Sequence, residues 1–227
     1  MKHGSTNTSR LRELKASLHL SDLQREVVVG TILGDGCLIS SRSGEAARLQ
    51  VRQQVKHAEY VNWKYKFFLD WATTSPRYDR FNNSVVFRTI CHPDLMGIRK
   101  IFYVDGTKSV PDNIGEILTS PLSLAIWYMD DGACFLNWFA YKLCSYGFGD
   151  QGNLLLKKCL EDNFNLQVII YKDSKGSYLC ICKDSALRFY ELVKPYVVNC
   201  MLYKLRNVNP VETTRWLPAK NWIPELG

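Results

Sequence analysis

The sequence predicts an α+β fold built from two structurally duplicated halves, each running α-β-β-α-β-β-α with antiparallel strands. Three observations carry this. Two apolar stretches close alike, VVVGTILGDG (27–36) and SPLSLAIWYMDDG (120–132), which places Asp131 96 positions after Asp35. Lys108 in GTKSVP and Lys204 in MLYKLR are also 96 apart, so each Asp precedes its Lys by 73 residues. Between them, segments of helical and strand periodicity recur in the same order.

The first half is expected over 21–110, after a polar, basic, solvated arm (1–20). Ser21 stands three before Gln24, the spacing of a capping box. Val27, Val28, Val29, Ile32 and Leu33 give the following helix its apolar face. Gly30 and Gly34, four apart, allow another backbone to approach, and Gly36 suits a left-handed terminator. Asp35 at that end is misplaced by roughly 0.3–1 kcal/mol against the helix dipole, so a positive group should compensate it. Next come CLIS (37–40), a weakly marked strand, and RLQVRQ (48–53), alternating like a half-buried strand. HAEYVNWKYKFFLDW (57–71) is helical, RYDRF and SVVFRTI (77–81 and 84–90) form a hairpin about Asn82-Asn83, and PDLMGIRKIFY (93–103) is helical.

The second half, 111–206, repeats this. Ser120 suits an N-cap and Pro121 the first helical position. ACFLNW after Asp131 and YKLCSY (141–146) are the strands, and DQGNLLLKKCLEDNF (150–164) the helix. LQVIIY (166–171) and SYLCIC (177–182) pair across DSKG, and ALRFYELVKPY (186–196) is helical. Residues 207–227, with three Pro and two Trp, suit an irregular tail packed on the surface.

Composition narrows the function classes. A chain of 227 residues with 46% hydrophobic and 12% aromatic content can bury a real core. No run approaches the roughly 18 apolar residues of a membrane span, so a soluble chain without a membrane partner is expected. The eight Cys are read as reduced thiols of an intracellular, reducing compartment, a bacterial or phage cytoplasm or an organelle. Cys180-Ile181-Cys182 is not a zinc signature. A net charge of +7, dispersed rather than in a block, points to nucleic acid before anionic membrane. Glu13 and the absence of an amphipathic pattern argue against a transit peptide at the start.

VVGTILGDG (28–36) and LAIWYMDDG (124–132), with KSVP before the second and PYVVNCMLYKL near the end, resemble the single-chain LAGLIDADG homing endonucleases over about residues 21–206. The resemblance implies two motif helices packed at the centre and antiparallel sheets forming a DNA-binding saddle. It also implies a monomer that hydrolyses one phosphodiester in each strand across the minor groove, leaving short 3′ overhangs. Asp35 and Asp131, the last acid of each motif, become metal ligands and catalytic groups, joined by the backbone carbonyls of Gly34 and Asp130. Lys108 and Lys204 sit by the scissile phosphates. Ile126 and Trp127 depart from Gly30 and Thr31 of the first motif, so close helix contact there must use Ala125 or another small residue. The counterpart of Asp130 in the first motif is Gly34, so its side chain is expected at the helix terminus or outside the metal's own ligands.

Two carboxylates beside two negative helix ends call for a divalent cation. Mg²⁺ fits, since it takes one or two protein carboxylates, waters and substrate phosphate; Mn²⁺ is expected to substitute and Ca²⁺ to bind without supporting cleavage. A water activated by the metal is then the nucleophile. Arg48, Gln50, Arg52 and Gln54 alternate with Leu49, Val51 and Gln53, giving one face the residue types that pair with guanine and adenine edges. Ser40, Arg42, Arg77, Arg80, Asn82 and Arg88 extend that set; Lys142, Gln167, Lys172, Lys175 and Tyr178 are the second half's candidates. Polar outward faces are the default for half-exposed strands, but near absence of acids favours DNA here. An RNA maturase assisting intron splicing, or an inactive DNA-binding protein on the same fold, are the competing readings. No protein-splicing block flanks the domain, which points to an intron-encoded or free-standing gene.

Overall fold

The computed structural model describes residues 9–135 and 140–205. A first helix, α1 (Ser9–Ser17), precedes the repeat. It is tied to the body where the His92 ring meets the Lys15 carbonyl oxygen at 3.0 Å. The first half then runs α2 (Asp22–Leu33), β1 (Cys37–Ser40), β2 (Ala47–Gln54), α3 (Ala58–Lys66), β3 (Arg77–Asp79), β4 (Ser84–Arg88) and α4 (Pro93–Phe102). A two-stranded ribbon, β5 (Tyr103–Val104) and β6 (Thr107–Lys108), and a short helix α5 (Ile114–Ile117) lead to the second half. That half comprises α6 (Pro121–Asp131), β7 (Gly132–Phe135), β8 (Ala140–Leu143), α7 (Gly149–Phe164), β9 (Val168–Asp173), β10 (Gly176–Ile181) and α8 (Lys183–Val193). A 3₁₀ segment, Asn199–Leu205, follows.

The two sheets have matching order, β1-β2-β4-β3 and β7-β8-β10-β9, with every pairing antiparallel. The α-β-β-α-β-β-α repeat is therefore present in full, on two four-stranded sheets. Each sheet buries one face under its helices: Leu49, Val51, Val85 and Phe87 in the first, Tyr141, Leu143, Leu179 and Ile181 in the second. Segment ends moved where side chains overrode periodicity. The helix expected over 57–71 stops at Lys66, because Phe67, Phe68 and Trp71 turn inward and the chain tightens into i→i+3 bonds (Phe68 N to Tyr65 O, Trp71 N to Phe68 O). The expected strand 141–146 ends at Leu143, and Tyr146–Phe148 forms a 3₁₀ turn instead. The tail expected over 207–227 lies outside the described residues.

Both helix starts form as their sequences imply. Ser21 and Gln24 exchange the two capping-box bonds, and Ser120 Oγ accepts from Leu122 N at 3.1 Å. Ser120 Oγ and Ser123 Oγ then donate to Glu26, to its carboxylate at 2.6 Å and its carbonyl at 2.8 Å, pinning α6 to α2.

The close helix contact is asymmetric. A Cβ on Gly30 would lie 2.4 Å from Ser123 O and 2.9 Å from Ile126 Cβ; one on Gly34 would lie 2.4 Å from Asp130 Cβ. Residues 30 and 126, like 34 and 130, are equivalent positions of the repeat and face each other across the pseudo-two-fold axis. Only one side chain of each pair fits. The first helix supplies the glycines, and the partner beside Gly30 is Ser123 with Ile126, not Ala125. Gly36 does not terminate the helix in the left-handed region. Its constraint is steric, since a Cβ there would sit 2.2 Å from Thr31 Cγ2.

Candidate active site

At the adjoining ends of α2 and α6 the duplication holds down to single hydrogen bonds. Lys108 Nζ donates to Gly34 O at 2.7 Å. Lys204 Nζ donates to Asp130 O at 3.0 Å, the equivalent carbonyl, and to Met129 O at 2.6 Å. Each ammonium thus satisfies orphan carbonyls at a helix C-terminus, where cations are favoured. The charge that the misplaced acids called for comes, in part, from the protein itself. Burial pushes both lysine pKa values down, against the upward pull of Asp35, Asp130 and Asp131. Lys108 is delivered by the β5–β6 ribbon, whose turn uses Asp105 and Gly106 at positive φ, and Lys204 by the 3₁₀ segment.

Asp35 is exposed, its Oδ2 accepting from Gln53 Nε2 at 2.7 Å. Asp131 is half-buried, and its pKa is pushed up to about 7 by burial, then by the charges of Asp35 and Asp130, against Lys108 and Lys204. The predicted carboxylates therefore lie within each other's field. Among the described residues no cluster of three or more His, Cys, Asp or Glu is placed to hold a metal. Two carboxylates are a hard-oxygen donor pair that fits Mg²⁺ or Mn²⁺ completed by water and phosphate; the Gly34 and Asp130 carbonyls, here accepting from Lys108 and Lys204, each keep a second lone pair.

Asp130 has a structural task. Its carboxylate is buried and accepts from Lys64 Nζ at 2.8 and 3.0 Å, from Gln53 Nε2 at 3.2 Å and from Asp35 N at 3.3 Å. Burial raises the pKa of this carboxyl, and the Lys64 ammonium offsets the rise only in part; the four donated bonds are what favour the ionised form. Lys64 also lies over the Tyr60 ring, 4.4 Å from its centroid, while the Tyr60 hydroxyl donates to Ile126 O at 3.1 Å. Sequence reasoning missed Lys64, Gln53 and Tyr60. Signals existed: Gln53 breaks the apolar set Leu49-Val51, and Lys64 falls on the stripe of Tyr60 and Phe68.

On β2, Arg48, Gln50, Arg52 and Gln54 share the outward face as expected. Arg88 Nε donates to Gln50 Oε1 at 2.6 Å. The Arg88 pKa is lowered by burial and then by Arg48, Arg77 and Arg52, so four guanidiniums crowd one surface. A depression lined by Asp35 also takes in Gln50, Arg52, Gln53, Gln54 and Asn82, joining the acid to this face. Ser40 ends β1, Arg42 lies in the following loop, and Arg80 and Asn82 occupy the β3–β4 turn, all exposed.

Two expectations are corrected. The faces are not nearly free of acids. Asp79 takes Arg52 at 2.5 Å, Asp173 lies 3.5 Å from Lys142, and the Asp79 pKa falls to about 2, held down by Asn82 and Arg52. Lys172 does not share the second outward face: it pairs in register with buried Ser177 and reaches Asp150 at 3.7 Å at the start of α7. Lys142 and Tyr178 do share it, with the ammonium 3.6 Å from the ring centroid. Gln167 and Lys175 are exposed, the first just before β9 and the second in the hairpin turn.

Comparison with known proteins agrees with this geometry. The DNA endonuclease I-ChuI of Chlamydomonas applanata is 29% identical, over 85% of this chain and 98% of its own. The cytochrome b mRNA maturase bI2 of Debaryomyces hansenii is 28% identical, over 82% and 73%. The RecA protein of Mycobacterium gastri is 30% identical over 82% of this chain, which spans about half (48%) of that protein. The solved homing endonuclease I-WcaI, bound to its DNA recognition sequence, superposes with a TM-score of 0.79 at 24% identity, over 88% of this chain and 93% of that one, and so shares the fold. The profile of the LAGLIDADG DNA endonuclease family matches residues 25–189, and the chain belongs to that family.

Proposed function

We propose that this chain is a monomeric, site-specific endonuclease that cuts both strands of double-stranded DNA. The observation that carries this is the pair of Asp–Lys sets, one from each half, at the adjoining ends of α2 and α6. One set per strand suits two hydrolyses across the minor groove, with short 3′ overhangs. Asp35, Asp131 and the carbonyls of Gly34 and Asp130 would hold Mg²⁺, with Mn²⁺ as a substitute and Ca²⁺ binding without turnover. When bound, the metal supplies an activated water and charge stabilisation at the phosphate.

The chain's own residues do the rest. Gln53 fixes the Asp35 carboxylate through the bond at 2.7 Å. The Lys64–Asp130 pair locks the two helix ends, so the acids keep their spacing. Lys108 and Lys204 provide positive charge where the phosphate becomes more negative. The location that goes with this reading is intracellular and reducing, a bacterial or phage cytoplasm or an organelle, where eight unbridged cysteines are at home.

The test is cleavage of a randomised duplex library with Mg²⁺, followed by plasmids carrying the recovered site. Double-strand cutting is expected, abolished by EDTA and by Asp35→Asn or Asp131→Asn. Recovery of no cut sequence with either Mg²⁺ or Mn²⁺ overturns the proposal. The likeness to a maturase favours a second reading, RNA splicing on the same fold, for which tight intron RNA binding without DNA cleavage is the signature.

A further inference from the structure

The two sheets can be compared position by position, because the repeat fixes their registers. In the first sheet one row reads Cys37–Gln50–Arg88. The equivalent row of the second reads Ala133–Lys142–Cys180–Ile169. One step along, Ile39–Arg48 corresponds to Phe135–Ala140. On the other side, Val86–Arg77 corresponds to Tyr178–Tyr171. Three arginines of the first outward face, Arg48, Arg88 and Arg77, are thus replaced by Ala140, Cys180 and Tyr171.

Lys142 is a cation that the strands of this second face retain, and it is already engaged. Its ammonium donates to Tyr146 Oη at 2.5 Å, lies 3.5 Å from Asp173 and sits over the Tyr178 ring. Beside that cluster the Ile169 side chain and the Tyr171 ring project outward, at 45% and 44% exposure. Tyr171 stacks on Tyr178 with centroids 6.0 Å apart, which stiffens the surface. Two faces at equivalent places in a duplicated fold meet equivalent positions of their ligand, so the chemistry they meet must differ.

We propose that the two halves of the DNA target are read by different chemistry: the Arg48–Gln50–Arg77–Arg88 face hydrogen-bonds guanine and adenine edges, and the Ile169–Tyr171 face packs on thymine methyl groups. The major groove offers both, guanine through O6 and N7 and thymine through its C5-methyl. The second half-site is accordingly rich in T·A pairs, the first in guanine contacts. This rests on the DNA-cleaving function proposed above.

The test uses the duplex recovered from the randomised library. Deoxyuridine replaces thymidine in one half-site at a time, removing methyl groups and leaving pairing intact, and binding is measured in Ca²⁺. Arg88→Ala identifies the half read by the first sheet, through relaxed base selection there. In the other half, each lost methyl is expected to weaken binding about fourfold, the value of one buried methyl group. Ile169→Ser, a surface change checked by an unaltered melting temperature, should remove that sensitivity while leaving the first half-site's preferences intact. Equal sensitivity in both halves, none in the second, or sensitivity unchanged in Ile169→Ser overturns the inference while the endonuclease stands. A library yielding no cut sequence overturns the endonuclease proposal, and this inference with it.

Discussion

Asp130, whose side chain the repeat already set apart from the metal's own ligands, is given its task by packing. Its carboxylate sits beside the axis, where Gly34 leaves room for it, and is neutralised by a lysine that is itself 1% exposed. Lys64→Met strands that charge. The expected loss is about 3–5 kcal/mol in urea unfolding, and adding Asp130→Asn should recover part of it, since the two sites are coupled. Asp131, like Asp130, is shifted upward by burial. Its folded pKa, about 7, lies above the ordinary value of 3.8, so its ionisation is disfavoured in the folded state. Metal-free protein should lose stability from this group as pH rises from about 4 through 7, because the native state binds more protons there. Asp131→Asn should flatten that slope and raise the metal-free melting temperature at pH 8, by about 2–4 °C for each kcal/mol relieved. An unchanged pH profile would reject the assignment.

Among elements, the contact of α2 with α6 decides most. Gly30→Ala or Gly34→Ala forces a methyl against Ser123 or Asp130, and each should destabilise by about 1–3 kcal/mol through overpacking. Gly97 in α4 is the control: nothing lies within 4 Å of its absent Cβ. Gly97→Ala should stabilise by about 0.5–1 kcal/mol, as expected for an exposed mid-helix glycine. Urea midpoints of the three variants check the ordering. Much of this element was legible in the sequence. The capping box, Pro121, the glycine spacing and the terminal acids set both helices, because those signals are local. Gly34 opposite Asp130 was not, because a steric pairing across an axis needs two segments nearly 100 positions apart.

At the scale of the molecule, charge and register combine. The net charge of +7 and four crowded arginines on one sheet predict salt-sensitive DNA binding. For about 6–10 phosphate contacts, affinity should fall by roughly 10³–10⁵ between 50 and 200 mM salt, through counterion release. A nearly flat plot of log affinity against log salt would contradict the basic face. Acids within the faces, Asp79 and Asp173, temper the effect by occupying Arg52 and Lys142.

The sequence by itself determined the duplication, the order of elements, the two terminal acids and their lysines, because each is written as a repeated local pattern at a fixed offset. Tertiary structure decided what those patterns meet. It aimed Lys108 and Lys204 at helix carbonyls, put Gln53 and Lys64 on the acids, and turned Lys172 away from the outward face. Those outcomes depend on strand register and on which side chain fits beside an axis, and both are fixed by packing between distant segments.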